Sequence, residues 1–142
     1  MRLVIAALLM SVSAASAAPL PNTLVDPYLQ IQSALAEDRF DAIAALAKSV
    51  EQAASSLGKD AEKLAERAKV LAQAKDIAAA RTAFGEVSRE LEAYAEKTQS
   101  TFGSDVRLAY CPMADKSWRQ KGKEIRNPYY GAAMLTCGDF KN

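Results

Sequence analysis

The sequence predicts an all-α fold: an antiparallel up-down four-helix bundle with an irregular, aromatic-rich C-terminal tail packed on it. Three observations support this prediction. Between positions 24 and 98, apolar residues recur every three or four residues, which is the spacing of an amphipathic helix. The same region is rich in Ala, Leu, Glu and Lys and contains no proline after Pro27. After Gln99 glycine and proline return with six of the ten aromatic residues, a composition typical of turns.

Two of the four predicted helices precede Gly58. The first runs from Leu24 to Leu35, and Pro27 after Asp26 fits a first helical turn with its N-cap. The second runs from Phe40 to Leu57, where the apolar spacing is clearest, and Gly58 ends it.

The other two helices have their apolar positions from Ala61 to Leu71 and from Ile77 to Tyr94. The pattern slips between them and Asp76 stands where an N-cap would stand, which predicts a tight turn; a single kinked helix is the alternative. Short connections and narrow apolar stripes favour the antiparallel bundle. In the tail, residues 105–111 are compatible with a short strand and residues 129–135 with one helical turn. The tail is too small for a core of its own, so it must pack on the bundle or be cross-linked.

The first 17 residues have the layout of a secretory signal peptide: one basic residue, an apolar run from Leu3 to Met10, and then small residues. Cleavage is expected after Ala17 or Ala18. The apolar run is shorter than the roughly 20 residues that a membrane-spanning helix needs, so we expect an exported, periplasmic protein without a membrane span. The chain then divides into a signal peptide (1–17), a helical bundle (18–99) and a C-terminal segment (100–142).

Composition argues against several classes of function. Histidine is absent, which removes Ser-His-Asp and Cys-His catalytic groups and imidazole metal sites. The full chain has 18 basic and 17 acidic residues, and removal of Arg2 balances them, so charge gives no reason to expect nucleic acid or anionic lipid as a partner. The Cys-x-x-Cys pair of thiol–disulfide oxidoreductases is also missing. We expect a protein that is not an enzyme.

All four sulfur-containing residues of the expected mature chain lie within 27 consecutive positions; they are Cys111, Met113, Met134 and Cys137. Two thiolates and two thioethers form a soft ligand set, which selects Cu(I) or Ag(I) over Mg²⁺ or Ca²⁺. Zinc usually takes four thiolates or a mixture with histidine. If the fold brings the two Cys and Met pairs together, they would form a metal site with three or four sulfur ligands.

A disulfide between Cys111 and Cys137 is the alternative. Exported proteins meet oxidising conditions, in which two cysteines most often pair, and the bond would stabilise a small irregular tail by about 3 to 4 kcal/mol. A disulfide does not need neighbouring methionines, and this favours metal binding. The two states can also alternate, because Cu(I) requires thiolates that oxidation removes. Metal loading would then depend on the redox state.

The segment YCPMADKSWRQKGKEIRNPYYGAAMLTCG, residues 110–138, resembles the C-terminal signature of a bacterial family known only as a domain of unknown function. The helical stretches YLQIQSALAEDRFDAIAALA and LAQAKDIAAARTAF are similar to that family too, so the resemblance covers nearly the whole mature chain. Members occur as small exported proteins and as segments attached to the periplasmic membrane-fusion subunits of copper and silver efflux pumps. The resemblance implies a role in heavy-metal handling, copper first, with a pump component as a partner.

Besides the sulfur ligands, the resemblance carries over four residues that could support the site: Tyr110, Trp118, Asn127 and Tyr129. The tetrapeptide YCPM is also similar to the heavy-metal-binding motif of copper pump subunits, in which a histidine follows the methionine; Ala114 stands in that place and favours an all-sulfur site. Trp118 could cover Cu(I) with its ring face, but packing against the bundle is the favoured interpretation. Asn127 with Pro128 fits a turn, and Tyr129 fits packing with a hydroxyl hydrogen bond.

The leading hypothesis from the sequence is a non-enzymatic periplasmic protein that binds Cu(I) or Ag(I) through the four sulfur residues. It would buffer the ion or pass it to an efflux system by ligand exchange. The rival hypothesis is a disulfide-stapled helical interaction module without metal, in which the bundle surface recognises a protein partner.

Overall fold

The computed structural model describes residues 17–141, so the predicted signal peptide lies outside the described residues except for Ala17. Four helices come first and three strands follow. The elements are α1 (Asn22–Ala36), α2 (Ile43–Ser56), α3 (Glu62–Ala72), α4 (Ile77–Thr98), β1 (Val106–Cys111), β2 (Lys116–Lys121) and β3 (Asp139–Phe140). Single 3₁₀ turns cover Lys59–Ala61 and Gly131–Met134. Among the described residues, no helix has both the length and the apolar character needed to cross a membrane.

The all-α prediction is wrong, because the protein has a mixed α/β fold. The C-terminal segment forms a three-stranded antiparallel sheet in the order β2-β1-β3 rather than an irregular tail. In the β1–β2 hairpin Cys111 pairs with Lys116, and β3 joins the other edge of β1 with Tyr110 opposite Asp139. The sheet supplies the backbone hydrogen bonds that an irregular tail would have left to water or side chains.

The sequence pattern does not indicate the β1–β2 hairpin, because β2 buries a polar residue. Its inward-facing positions are Trp118 and Gln120, both 0% exposed, and a buried glutamine breaks the alternation of apolar and polar residues by which a strand is recognised. The Gln120 amide oxygen accepts from the indole N–H of Trp118 at 2.9 Å and from the Arg126 N–H at 3.0 Å. Its amide nitrogen donates to the carbonyls of Lys121 at 3.2 Å and Glu124 at 2.7 Å. All of the amide's hydrogen bonds are therefore made inside the folded protein, which allows a glutamine to be buried in this strand.

The helix boundaries agree with the sequence in one place and differ in another. The predicted turn before the fourth helix is confirmed: Asp76 is the N-cap of α4, and its carboxylate accepts from the Ala79 N–H at 2.8 Å. The predicted N-cap at Asp26 is wrong, because α1 begins at Asn22 and Pro27 lies inside the helix.

The sheet docks on the helical layer through β2, which packs against both α1 and α4. Tyr28 of α1 is the anchor: it is 1% exposed, and its ring stacks on Phe84 of α4 with centroids 5.0 Å apart. Its hydroxyl oxygen accepts from the Arg119 N–H at 3.0 Å and lies 2.8 Å from the Ser88 hydroxyl. The Arg119 guanidinium makes a bidentate pair with Glu92 at 2.7 and 2.8 Å. Arg119 of β2 thus binds both α1, through Tyr28, and α4, through Glu92.

Tyr28→Phe is expected to lower the free energy of unfolding by about 1 to 3 kcal/mol, measured by urea denaturation. The ring packing is retained, but the Arg119 N–H and the Ser88 hydroxyl lose a buried partner. The matched control is Tyr94→Phe on α4, where the side chain is partly exposed and its hydroxyl has no hydrogen-bond partner within residues 17–141. Equal losses in the two variants would contradict the anchoring role of the Tyr28 hydroxyl.

Candidate functional site

The fold brings the two cysteines together. Cys111 is the last residue of β1, and Cys137 lies between the second 3₁₀ turn and β3. The pairing of Tyr110 with Asp139 places the two chain segments side by side, and the Cys111 and Cys137 Sγ atoms lie 2.9 Å apart. Both cysteines are free thiols in this structure. The separation in sequence, 26 residues, is therefore closed by the β1–β3 pairing.

The two cysteines differ in their exposure to solvent. Cys111 is 0% exposed and belongs to the hydrophobic core, together with Trp118 and Tyr129. Cys137 is partly exposed and packs on the edge of that core. The pair thus has one inner and one outer sulfur.

The hydrogen bonds around the pair make Cys111 the more acidic thiol. Desolvation at this position opposes ionisation, but hydrogen bonds from the Cys137 thiol, from the Ala114 and Met113 N–H groups and from the Asn127 side chain outweigh it and lower the pKa of Cys111. The hydrogen bond to Cys111 raises the pKa of Cys137, and desolvation adds to that rise. Of the two thiols, Cys111 therefore loses its proton more readily, and Cys137 retains its proton more firmly.

The two methionines lie beside the cysteines but are turned toward the surface. Met113 is in the turn between β1 and β2, where its N–H faces both cysteine sulfurs, and its side chain is 65% exposed. Met134 ends the second 3₁₀ turn; its carbonyl accepts from the Cys137 N–H at 3.0 Å, and its side chain is 36% exposed. Of the four predicted ligands, the structure brings the two cysteine sulfurs into contact, and the two methionine side chains are exposed.

Asn127 is the organising residue of this site. It is 0% exposed, and its side-chain amide donates to the Cys137 carbonyl at 2.8 Å and accepts from the Tyr129 N–H at 2.8 Å. Its backbone N–H donates to the Leu135 carbonyl at 2.7 Å, and its carbonyl accepts from the Gly131 N–H at 3.2 Å. The sequence predicted a turn at this position, but Asn127 also fixes the segment that carries Cys137.

The aromatic residues predicted to support the site are held by ring packing and by hydroxyl hydrogen bonds. Trp118 is 0% exposed and meets Tyr129 edge to face with ring centroids 5.8 Å apart, so its ring is part of the core. The Tyr129 hydroxyl donates to the Ser117 carbonyl at 2.6 Å. The Tyr110 hydroxyl donates to the Asp115 carboxylate at 2.7 Å and closes the turn that contains Met113. Each tyrosine hydroxyl thus fixes one part of the β1–β2 hairpin.

An ion pair that the sequence did not indicate holds the neighbouring loop. Asp38, just after α1, accepts from the Arg81 guanidinium of α4 at 2.5 Å and from the Ala132 N–H at 3.0 Å. The Arg81 hydrogen bond is the main reason that the pKa of Asp38 is lowered. Arg81 also donates to the carbonyls of Leu35 at 2.9 Å and Pro128 at 3.0 Å. These residues are ordinary surface charges in the sequence, and no motif marks their partnership.

Glycine is required at position 138, where the chain between Cys137 and β3 passes close to the backbone of β1. Its φ is +130°, a conformation that L residues rarely adopt, and a Cβ there would lie 2.8 Å from the Tyr110 carbonyl oxygen and 3.0 Å from the Trp118 ring. Neither neighbour is a flexible side-chain end. The close approach of the two backbones sets the position of Cys137.

Gly138→Ala is expected to lower the free energy of unfolding by at least about 2 kcal/mol, because backbone strain and a steric clash act together. Urea denaturation measures the loss. Gly122→Ala is the matched control, since Gly122 has a φ of +93° but a Cβ would meet nothing within 4 Å. If both variants lose the same stability, the contact with the Tyr110 carbonyl is not important.

The side chains that could bind a metal ion at this site are sulfur ligands. Within residues 17–141, no group of three or more Cys, Asp or Glu side chains is placed to hold a metal ion. The thiolate-forming donors are the two cysteines, and the thioethers of Met113 and Met134 are the sulfur donors nearest to them in the chain.

Comparison with known proteins identifies the helical part of the chain. Residues 24–103 match the family model described as "Protein of unknown function (DUF3347)"; the match begins at the third residue of α1, includes the other three helices and ends before β1. The Cys111–Cys137 site lies outside the matched residues, so the C-terminal signature inferred from the sequence stays a prediction. No curated protein and no solved structure matches the chain. Because the matched residues make up more than half of its length, the chain belongs to the DUF3347 family of proteins of unknown function.

Proposed function

We propose that this protein is an exported, periplasmic protein that binds Cu(I) or Ag(I) through Cys111 and Cys137, with Met113 and Met134 as thioether ligands. It buffers the ion or passes it to an efflux system, and it does no catalysis. The observation that carries the proposal is the contact of the two Sγ atoms at 2.9 Å, with hydrogen bonds from the protein that favour a thiolate at Cys111.

The donor set suits a soft monovalent ion. Cu(I) and Ag(I) prefer thiolate and thioether ligands, and metal binding requires the deprotonated thiol. The lowered pKa of Cys111 favours this deprotonation at one of the two cysteines. Zinc–thiolate bonds are about 2.3 Å long. With bonds of that length, an ion bound between the two sulfurs would hold them farther apart than their present 2.9 Å. The backbone of Cys137 is held by Asn127, but its partly exposed side chain can make this movement by rotation.

The exposed thioethers suit transfer rather than permanent storage. Met113 is 65% exposed, so its sulfur is accessible both to an incoming ion and to the ligands of an acceptor protein. A ligand that can contact both sites allows the ion to move by exchange, without release into water. The resemblance of residues 110–138 to segments attached to membrane-fusion subunits suggests that the acceptor is a periplasmic component of a copper or silver efflux pump.

The second candidate is a disulfide-stapled helical interaction module without metal. Closing the bond requires the two sulfurs to move from 2.9 Å to about 2.05 Å, which is a small displacement. An oxidising compartment would favour this state. The two candidates are linked, since oxidation removes both thiolates and with them the proposed metal site.

An anaerobic competition titration of the reduced protein against a chromophoric Cu(I) chelator tests the proposal. We expect one equivalent of Cu(I) to be withdrawn from the chelator by the reduced protein, and little by protein whose cysteines have first been joined by a mild oxidant. If the reduced protein does not compete, the proposal is wrong and the stapled module is favoured. Equal binding by reduced and oxidised protein would also contradict it, because the ligands would then not include the thiolates.

A further inference from the structure

We propose that Cys137 is the sulfur through which the Cys111–Cys137 pair exchanges with thiols and disulfides in solution, and that Cys111 reacts only with Cys137. The external partner is a low-molecular-weight thiol or its disulfide, of which glutathione is an example. Cys137 is then the modification site of the protein. This inference concerns the same pair as the proposed function but needs no copper, because the exchange uses the metal-free thiols.

Access to the two sulfurs carries the inference. Cys111 is 0% exposed and lies in a strand that is paired on both edges. Cys137 is partly exposed, outside the strands, and the residues before it, Met134 and Thr136, are exposed. Thiol–disulfide exchange needs the attacking sulfur to approach the sulfur under attack directly, so an external molecule can meet Cys137 but not Cys111.

Oxidation then proceeds in two steps. The Cys137 thiol loses its proton to solvent, and the resulting thiolate attacks one sulfur of an external disulfide. A mixed disulfide forms on Cys137, and the other half of the reagent leaves as a thiolate. The Cys111 thiolate next attacks the Cys137 Sγ, for which the two sulfurs are already 2.9 Å apart. The internal disulfide forms, and the second half of the reagent leaves as a thiolate. The two cysteines are oxidised by two electrons, and the external disulfide is reduced to two thiols.

Reduction is the reverse, through the same intermediate. An external thiolate attacks the Cys137 Sγ, the internal S–S bond breaks, and its electron pair stays on Cys111. The Met113 and Ala114 N–H groups and the Asn127 side chain lower the pKa of Cys111, which makes it the better leaving group of the two cysteines. A second external thiolate then attacks the sulfur of the reagent in the mixed disulfide and releases Cys137 as a thiolate. Both directions thus place the reagent on the outer cysteine.

Modification of Cys137 has a consequence for the proposed metal site. A thiol adduct there removes one of the two thiolate ligands while Cys111 stays protected in the core. Attack by the Cys111 thiolate, 2.9 Å away, releases the adduct as a thiolate and leaves the internal disulfide, which external thiols must reduce before metal can bind. The outer cysteine would therefore couple metal loading to the thiol–disulfide balance around the protein.

The test begins with the unmodified protein, reduced and kept metal-free by a chelator. Treatment with limiting iodoacetamide and digestion with trypsin separates the two cysteines, because Cys111 lies in residues 108–116 and Cys137 in residues 127–141. We expect Cys137 to be labelled first, with a rate at least about tenfold above that of Cys111, which must wait for local opening of the sheet. Labelling of Cys111 first, or of both at the same rate, would overturn the inference.

Two single variants provide the second measurement. With oxidised glutathione, Cys111→Ser is expected to accumulate a stable mixed disulfide on Cys137, because the sulfur that resolves it is gone. Cys137→Ser is expected to stay unmodified over the same period, and both should react equally in urea. Equal reaction in native buffer would refute the inference. If circular dichroism shows that a variant is unfolded, the labelling of the unmodified protein decides. A protein that binds Cu(I) but is labelled first at Cys111 refutes this inference alone.

Discussion

Cys111→Ser is expected to lower the Cu(I) affinity of the reduced protein by at least about 100-fold, as measured by competition against a chromophoric chelator. The substitution replaces a soft thiolate by a hard hydroxyl at the position where the protein provides hydrogen bonds for a negative charge. Loss of even a supporting interaction around a metal typically costs about 10- to 100-fold in affinity, so loss of a ligand should cost more. Cys137→Ser is expected to have a similar effect, because two thiolates are needed to hold the ion between them.

Two further variants make this prediction specific. Met113→Leu keeps the shape of the side chain and removes the thioether, and it is expected to lower the affinity by about tenfold, since an exposed thioether is the weaker ligand. Thr136→Ser is the matched control, because it places the same serine beside Cys137 at an exposed position and should leave the affinity unchanged. Unchanged affinity in Cys111→Ser, Cys137→Ser and Met113→Leu would rule out the proposed ligand set.

Asn127→Ala is expected to lower the free energy of unfolding by about 2 to 5 kcal/mol, measured by urea denaturation. The substitution removes two side-chain hydrogen bonds and leaves the Tyr129 N–H and the Cys137 carbonyl without their partners. Each buried group left unsatisfied costs about 1 to 3 kcal/mol. The segment that carries Cys137 also loses its attachment, so Cu(I) affinity should fall in this variant as well.

Asn22→Ala is the matched control for this prediction. Asn22 is the exposed first residue of α1, and within residues 17–141 its side chain has no hydrogen-bond partner, so the same substitution there is expected to change the stability by less than about 0.5 kcal/mol. A loss in Asn127→Ala no greater than in Asn22→Ala would show that the buried amide does not hold the site. If Asn127→Ala loses much stability but keeps its Cu(I) affinity, Asn127 stabilises the fold without setting the position of Cys137 for metal binding.

The helical half of the fold is predictable because its information is local. Apolar residues at helical spacing mark all four helices, and Asp76 with its hydrogen bond to the Ala79 N–H marks the start of α4. The exception is the start of α1: the preference of proline for the first helical turn led to the wrong prediction of an N-cap at Asp26. The helix instead accepts Pro27 in its sixth position, and the chain before it is held by the bond from the Leu20 N–H to the Thr101 carbonyl at 2.8 Å.

Of the sheet, the sequence pattern indicates only β1, at residues 105–111, because the other strands are completed by distant residues. β2 carries charged and amide side chains whose partners lie elsewhere: Arg119 binds Glu92 of α4, and the Gln120 amide binds the loop after the hairpin. A polar residue is buried at low cost only where all its hydrogen bonds are made, and that condition is set by the assembled fold. The tail therefore resembled an irregular segment in composition while forming an antiparallel sheet.

For the candidate site, the clustering of four sulfur residues in one segment is a property of the chain alone, and so are the missing histidine and the balanced charge, which limit the chemistry. The contact of Cys111 with Cys137, and the burial of Cys111 beside a partly exposed Cys137, come from the β1–β3 pairing and from the buried amide of Asn127. Residue type specifies which atoms can bind a soft ion, because that chemistry belongs to each side chain. Distance and exposure depend on backbone pairing between segments 26 residues apart, and such pairing has no local signal in the sequence.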